Sequence, residues 1–256
     1  GGVERLACWI AAAVHDYDHL GLTNDFMVKS GHDRATRYND VHINENHHAA
    51  AAFAVLQRQE CNFLAVLPRA SQCQVRNLVI QMVLSTDMAD HVNLLKSFNE
   101  CVDLNVVAGS EALFAPNSEE EATRVLSFAM KCSDLGHLSM DWDLHTRWVS
   151  RLQDEFFLQG DQESALGMPV SFLMDRSKPG PSSSQVGFYN FVVFPLFRSL
   201  TRAVPESEPM LQGALANFQR WDALEERKVR RPRSGLWREA KAREDLFGAF
   251  AVDFAF

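Results

Sequence analysis

The sequence predicts an all-α fold, and three observations carry that reading. Apolar residues recur at helical spacing along most of the chain, strand-like alternation is nearly absent, and helix-start and helix-stop residues bracket the periodic stretches. The first apolar run, Ala11-Ala12-Ala13-Val14, ends in His15-Asp16-Tyr17-Asp18-His19. With Val14 near a helix end, His15 and His19 lie four apart and share a face. Asp16 is then rotated by roughly 100° from His15, so its carboxylate reaches sideways. An Ala-rich helix is expected from Ala49 to Gln57, directly after Asn44-Glu45-Asn46-His47-His48. Within Val75 to Phe98, Leu78, Met82 and Ser85 keep helical spacing, as do Val79, Val83 and Thr86. Ser118 with Glu121 three residues on fits a capping box, which starts a helix running from about Glu119 to Cys132. Trp142 to Leu158 is amphipathic, and Gln159-Gly160 supplies its stop. Pro179-Gly180-Pro181-Ser182-Ser183-Ser184 reads as a loop. An aromatic-rich helix follows from Gln185 to Leu200, kinked by Pro195.

Composition narrows the function classes. Hydrophobic residues make up 46% of the 256 and charged residues 23%, enough apolar material for a sizeable core. A net charge of −8 argues against a nucleic-acid binder working through a broad basic face. No stretch has the length of a membrane span, and Gly1-Gly2-Val3-Glu4 is not a signal peptide. Five cysteines without a CxxC pair fit a reducing compartment, so the expected location is intracellular, in the cytoplasm. Residues 1–226 read as one domain and 227–256 as a tail. The tail is first basic (Arg227, Lys228, Arg230, Arg231, Arg233, Arg238, Lys241, Arg243) and then Phe-rich (Phe247, Phe250, Phe254, Phe256). It reads either as a charged final helix or disordered tail, or as phenylalanines that dock on a partner or on the domain's own surface.

Four polar knots interrupt the apolar helices. They are His15-Asp16, Asn44 to His48, Thr86-Asp87-Met88 with His91 beyond, and Lys131-Cys132-Ser133-Asp134-Leu135. Burying such groups is costly unless something compensates the charge, and a divalent cation does so because imidazole nitrogen and carboxylate oxygen are both metal ligands. Helix-borne His and Asp residues that converge on one pocket are how a helical protein builds a two-metal hydrolytic site.

These residues resemble a known family. His15-Asp16-Tyr17-Asp18-His19-Leu20-Gly21-Leu22-Thr23-Asn24 is similar to the metal signature of the class I 3′,5′-cyclic nucleotide phosphodiesterases, which belong to the wider HD hydrolases. Tyr38-Asn39-Asp40 with Glu45-Asn46-His47-His48, then Leu84-Ser85-Thr86-Asp87-Met88, then Cys132-Ser133-Asp134-Leu135 resemble further blocks in order. Glu155-Phe156-Phe157 with Gln159-Gly160-Asp161, and Ser184-Gln185-Val186-Gly187-Phe188, complete the set. The order and spacing agree from about Leu6 to about Leu224.

The resemblance implies a compact multi-helix domain of that family, lacking its first helices, that hydrolyses cAMP, cGMP or both to 5′-monophosphates. His15, Asp16 and Asp134 would hold zinc, and Asp16 would bridge to a second ion, magnesium or manganese, that keeps its waters. A hydroxide shared by the two ions would attack the cyclic phosphate in line. His19, Glu45 and Thr86 would orient metal-bound waters, with Asp87 and His47 as candidates for supporting hydrogen bonds. Gln185 would pair with the purine, since its amide offers both donors and an acceptor. Phe188, three residues on, would stack on the base, and Leu152 and Phe156 would line the opposite wall. Met88 and Leu135 would complete the pocket, with the Pro/Gly/Ser loop as a flap.

The pattern also departs from the family. The segment that would supply a general-acid histidine and a further zinc-binding histidine falls upstream of Gly1. The polypeptide as written is therefore expected to bind zinc poorly and hydrolyse little. Lys131 stands where a small or polar residue or histidine is usual. His137 occupies a position that varies with base selectivity, and Phe194 and Phe197 replace the usual His and Trp or Tyr. The competing function is a catalytically silent relative that binds cyclic nucleotide as a regulatory module. An HD hydrolase for another phosphoester fits Gln185 and Phe188 poorly. Partners beyond a cyclic nucleotide would be regulatory domains upstream or a partner for the tail, with no nucleic acid and no membrane span.

Overall fold

The computed structural model describes residues 1–105, 116–178 and 182–230, and among these every regular element is helical. The chain divides into two compact units, Gly1–Asp134 and Leu135–Phe256. The expected boundary at residue 226 falls inside the last described helix. The Phe-rich tail lies outside the described residues.

In the first unit, α1 (Gly2–Val14) packs on α5 (Arg69–Leu84), and both contact α4 (Ile43–Leu56) and α7 (Glu119–Asp134). Ala7, Ile10 and Ala11 of α1 meet Val75, Leu78, Val79, Met82 and Val83 of α5 in one apolar core, joined by Phe53 and Met130. The short helices α2 (Asn24–Lys29) and α3 (Asp33–Tyr38) enclose a smaller cluster of Met27, Ala35 and Ile43. α6 (His91–Asn105) lies against α7, with Phe98 stacked on Phe128 at 3.7 Å.

Two helix boundaries in this unit differ from expectation. The Ala-rich helix begins at Ile43 rather than Ala49, so Asn44 to His48 form its first turns. His42, with φ 45°, turns the chain into it, and the Asn46 amide bonds the His42 carbonyl at 2.8 Å. The periodic stretch Val75 to Phe98 is not one helix. It breaks after Leu84, where Ser85 Oγ donates to Met82 O at 2.6 Å and Thr86 Oγ1 to Val83 O at 2.7 Å. Hydroxyls compete there for the last helical carbonyls. Asp87 then turns extended and caps the next turn by accepting from the Ala89 amide at 2.9 Å. The capping box before α7 is present, since the Glu121 amide donates to Ser118 Oγ at 3.1 Å. The Glu121 carboxylate, however, reaches back to the Asn117 amide at 2.7 Å rather than to Ser118.

In the second unit, α8 runs from Trp142 to Ala165, about one and a half turns beyond the expected stop at Gln159-Gly160. Gly160 is buried, and a Cβ there would fall on the Met174 carbonyl oxygen. The glycine therefore serves close backbone approach rather than termination. Gly167, at φ +70°, makes the turn that follows the helix end. Ser182 to Ser184 are not loop but the first turn of α9 (Ser182–Phe188), while residues 179–181 lie outside the described set. Between α9 and α10 (Phe194–Ala203) the chain widens into one π turn over Tyr189–Val193. Pro195 has no amide proton to return to residue 191, so a wider turn ahead of it accommodates the missing bond. α11 (Glu208–Arg230) packs against α9 and α10.

Candidate metal centre and base-binding residues

The turn that ends α1 and the last residue of α7 bring three side chains together. His15 Nε2 lies 3.3 Å from Asp134 Oδ1 and 3.4 Å from Asp16 Oδ2. Ligand bonds of about 2.0–2.1 Å at tetrahedral angles separate donor atoms by roughly 3.3–3.4 Å, so this set suits a zinc-sized cation. The other imidazole nitrogen, Nδ1, meets the Ala12 carbonyl at 3.0 Å. A proton on Nδ1 leaves the Nε2 lone pair facing two carboxylates, acceptor against acceptor, which is unfavourable without a cation between them. Where only a proton is available it takes that place: the Asp134 contact pushes the His15 pKa up to about 9 against the opposing effect of burial. Asp16 is 65% exposed, and its second oxygen points elsewhere, 3.9 Å from His48 Nε2. Its carboxylate can therefore serve two neighbours at once.

His15 and His19 do not share a helix face, because α1 ends at Val14. Tight turns follow, with Tyr17 N bonded to Val14 O and His19 N to Asp16 O, and Asp18 takes φ 61°. His19 instead accepts from the Gly21 amide at 2.9 Å, and its ring lies 5.5 Å from that of His48. The two histidines of the His47-His48 pair have separate tasks. His47 bonds Asp18 at 2.8 Å, and Asp18 also binds Arg34 at 2.7 Å, which fastens the turn that carries His15 and Asp16. His48 is buried, meets the Tyr17 carbonyl through Nδ1 at 2.7 Å, and turns Nε2 toward Asp16. Burial lowers its pKa to about 4, so it stays neutral. Sequence reasoning did not single out His48. Adjacent histidines on a helix differ by roughly 100°, and nothing in their order says which one faces inward.

A second cluster joins His42, Glu45 and Asp87. His42 Nδ1 lies 2.7 Å from Asp87 Oδ2, and Asn24 Nδ2 donates to Glu45 at 3.0 Å and to Asp87 at 3.3 Å. Burial first, and the Asp87 charge second, push the Glu45 pKa up to about 7. Asp87 is fully engaged, with the Ala89 amide on its other oxygen. Thr86 gives its hydroxyl proton to Val83 O, which leaves its oxygen as an acceptor. His42, a partner that the sequence reading did not include, contributes through the left-handed turn that aims it at Asp87.

Of the expected base-binding residues, Met88 lies in the first unit, while Gln185, Phe188, Leu152, Phe156 and Leu135 lie in the second. Gln185 and Phe188 sit one turn apart on α9, and Leu152 and Phe156 one turn apart on α8. The Gln185 Oε1 atom is buried and meets no hydrogen-bond donor among the described residues. The second unit also holds a closed polar array. Trp221 Nε1 donates to His145 Nε2 at 2.8 Å, so His145 carries its proton on Nδ1, which faces His137 Nδ1 at 3.4 Å. Tyr189 donates to the Leu138 carbonyl at 2.8 Å, and Asn217 Nδ2 donates to the carbonyls of Leu138 and Met140.

Comparison with known proteins identifies the family. The profile described as "3'5'-cyclic nucleotide phosphodiesterase" matches residues 2–214. A 3',5'-cyclic-AMP phosphodiesterase (isoform F) of Drosophila melanogaster is 39% identical over 215 residues, covering 84% of this chain and 32% of that protein. A dual specificity calcium/calmodulin-dependent 3',5'-cyclic nucleotide phosphodiesterase 1B of Bos taurus is 36% identical over 205 residues, covering 80% of this chain and 36% of that one. The crystal structure of the phosphodiesterase domain of the RhoPDE fusion protein from Salpingoeca rosetta superimposes with a TM-score of 0.82. It is 32% identical, covering 90% of this chain and 71% of that chain. The chain belongs to the 3',5'-cyclic nucleotide phosphodiesterase family. It spans about a third of the length of the curated relatives quoted above.

Proposed function

We propose that this chain hydrolyses 3′,5′-cyclic nucleotides to 5′-monophosphates. The observation that carries the reading is the His15, Asp16 and Asp134 donor set, whose spacing calls for a cation. His15, Asp16 and Asp134 would hold zinc, with magnesium or manganese as a second ion, and the metals would supply Lewis acidity toward the phosphate and a nucleophile drawn from water near neutral pH. The protein's own groups do the rest. His15 is held in one tautomer by the Ala12 carbonyl, and Asp134 and Asp16 flank its free nitrogen. The second Asp16 oxygen would be available to a neighbouring ion, and Thr86, Glu45, His19 and His48 would orient water beside it. In the reaction a water oxygen bonds to phosphorus, the P–O3′ bond breaks, and O3′ takes a proton. Gln185 offers its unsatisfied acceptor to an exocyclic amino group of the purine, or by amide rotation its donors to a carbonyl. Phe188 stacks on the ring, with Leu152, Phe156 and Leu135 supplying apolar contact.

The test is an assay of cAMP and cGMP hydrolysis by the purified chain supplied with zinc and magnesium, beside nucleotide binding by calorimetry. Release of 5′-monophosphate that chelation abolishes supports the proposal. Nucleotide binding without metal-dependent turnover identifies a silent binding module instead.

A further inference from the structure

One buried cation has no part in the mechanism above. Lys131 lies on α7, three residues before Asp134, and is fully buried. Its ammonium donates to two main-chain carbonyls, Thr86 O and Asp87 O, each at 2.7 Å. Burial pulls its pKa down to about 8 against the charges of Asp134, Asp87, Glu45 and Asp90, so it remains protonated at neutral pH. A buried ammonium is a poor device for stability alone, because an apolar side chain of similar volume at such a site is commonly neutral or better. Its two bonds instead reach across 44 and 45 residues of sequence, to the break between α5 and α6. That break exists because Ser85 and Thr86 consume helical carbonyls with their hydroxyls. It places the Thr86 and Asp87 carbonyls past the end of α5, at a buried junction where each can accept a side-chain donor. Lys131 gives a proton donor to each of the two.

We propose that Lys131 is a positioning residue for the second-cation side of the centre. It fastens the Thr86–Asp87 segment to the helix that carries Asp134, and so sets where Thr86, Asp87 and, through Asn24, Glu45 stand relative to the His15–Asp16–Asp134 set. It also places one fixed positive charge among the carboxylates that the centre gathers. The inference rests on the metal reading proposed above. Removing the lysine leaves the three zinc donors in place while loosening the groups that hold water around the more weakly held ion.

The test compares wild type, Lys131→Met and Lys131→Arg, each loaded with zinc and titrated with Mn2+ followed by electron paramagnetic resonance. Zinc content and urea midpoints are measured in parallel. Outer-shell changes typically weaken metal affinity by about 10–100-fold. The expected result is wild-type zinc content in Lys131→Met with Mn2+ binding weakened by about tenfold or more, recovered in large part in Lys131→Arg. The magnesium concentration for half-maximal hydrolysis rises in step, with KM for the nucleotide little changed. A Lys131→Met protein with wild-type Mn2+ affinity and only a shifted urea midpoint overturns the proposal. If the methionine variant does not fold, Lys131→Gln, which keeps two donors on a shorter arm, is read by the same criterion. A wild-type protein that binds neither zinc nor Mn2+ overturns the metal reading and this inference together. Wild-type binding with unchanged variants overturns this inference alone.

Discussion

His15 and His145 are the same residue type, each with its side chain mostly withdrawn from water, and their surroundings treat them in opposite ways. In the second unit the polar groups around His145 meet complements: Trp221 gives a proton to Nε2, and Tyr189 and Asn217 give theirs to main-chain carbonyls. Burial first, and His137 second, depress its pKa to about 4, so the ring is a neutral structural part. In the first unit His15 turns a lone pair toward two carboxylates, and its pKa climbs to about 9. One array is satisfied by its own donors; the other needs a proton or a cation between its acceptors. Burial of polar groups does not by itself mark function. Acceptors converging on acceptors do.

The comparison breaks most readily at Asp134. Asp134→Ala is expected to reduce cyclic nucleotide hydrolysis by about 10³-fold or more, because a bound metal contributes several kcal/mol to the transition state at about 1.4 kcal/mol per tenfold. Steady-state assays at saturating magnesium check it. His145→Ala should do the converse. Loss of the Trp221 partner and of ring volume costs about 3 kcal/mol of folding stability, read from urea unfolding, while the zinc content stays that of wild type. Gln185→Ala should raise KM for the nucleotide about tenfold, the value of one good hydrogen bond, with zinc retained.

The smallest effects are in pH, and their signs differ. His15 has a folded pKa above its unfolded value of 6.5. Its contribution to the metal-free protein is fully present below about pH 6.5 and is lost as pH rises through about 9. Zinc competes for that site with the proton, so apparent zinc affinity should increase across the same window and level off above it, as chelator competition would show. His145, depressed from 6.5 to about 4, contributes stability that is present above pH 6.5 and lost as pH falls toward 4. Urea midpoints of the metal-free protein at both ends of the scale separate the two.

Much of this was legible in the residues. The helical class followed from periodicity, and the His15-Asp16 and Asp134 donors stood out as polar groups at the ends of apolar helices. Element boundaries were less legible where a residue plays a role other than its usual one. Gly160 reads as a stop but exists for the approach of the Met174 carbonyl, a contact made by another segment. Ser85 and Thr86 fit the helical period, yet their hydroxyls end the helix. The assignment of His48 rather than His47 to the centre, and the arrival of His42 at Asp87, depend on left-handed turns at Asp18 and His42 that spacing does not encode.

The most direct test is the zinc content of the dialysed wild-type protein beside that of Asp134→Ala. The account predicts zinc in the loaded wild-type chain, held by three protein donors and more weakly than a four-ligand site would hold it, and almost none in the variant. A wild-type protein free of zinc after loading, or a variant that keeps it undiminished, would contradict the account.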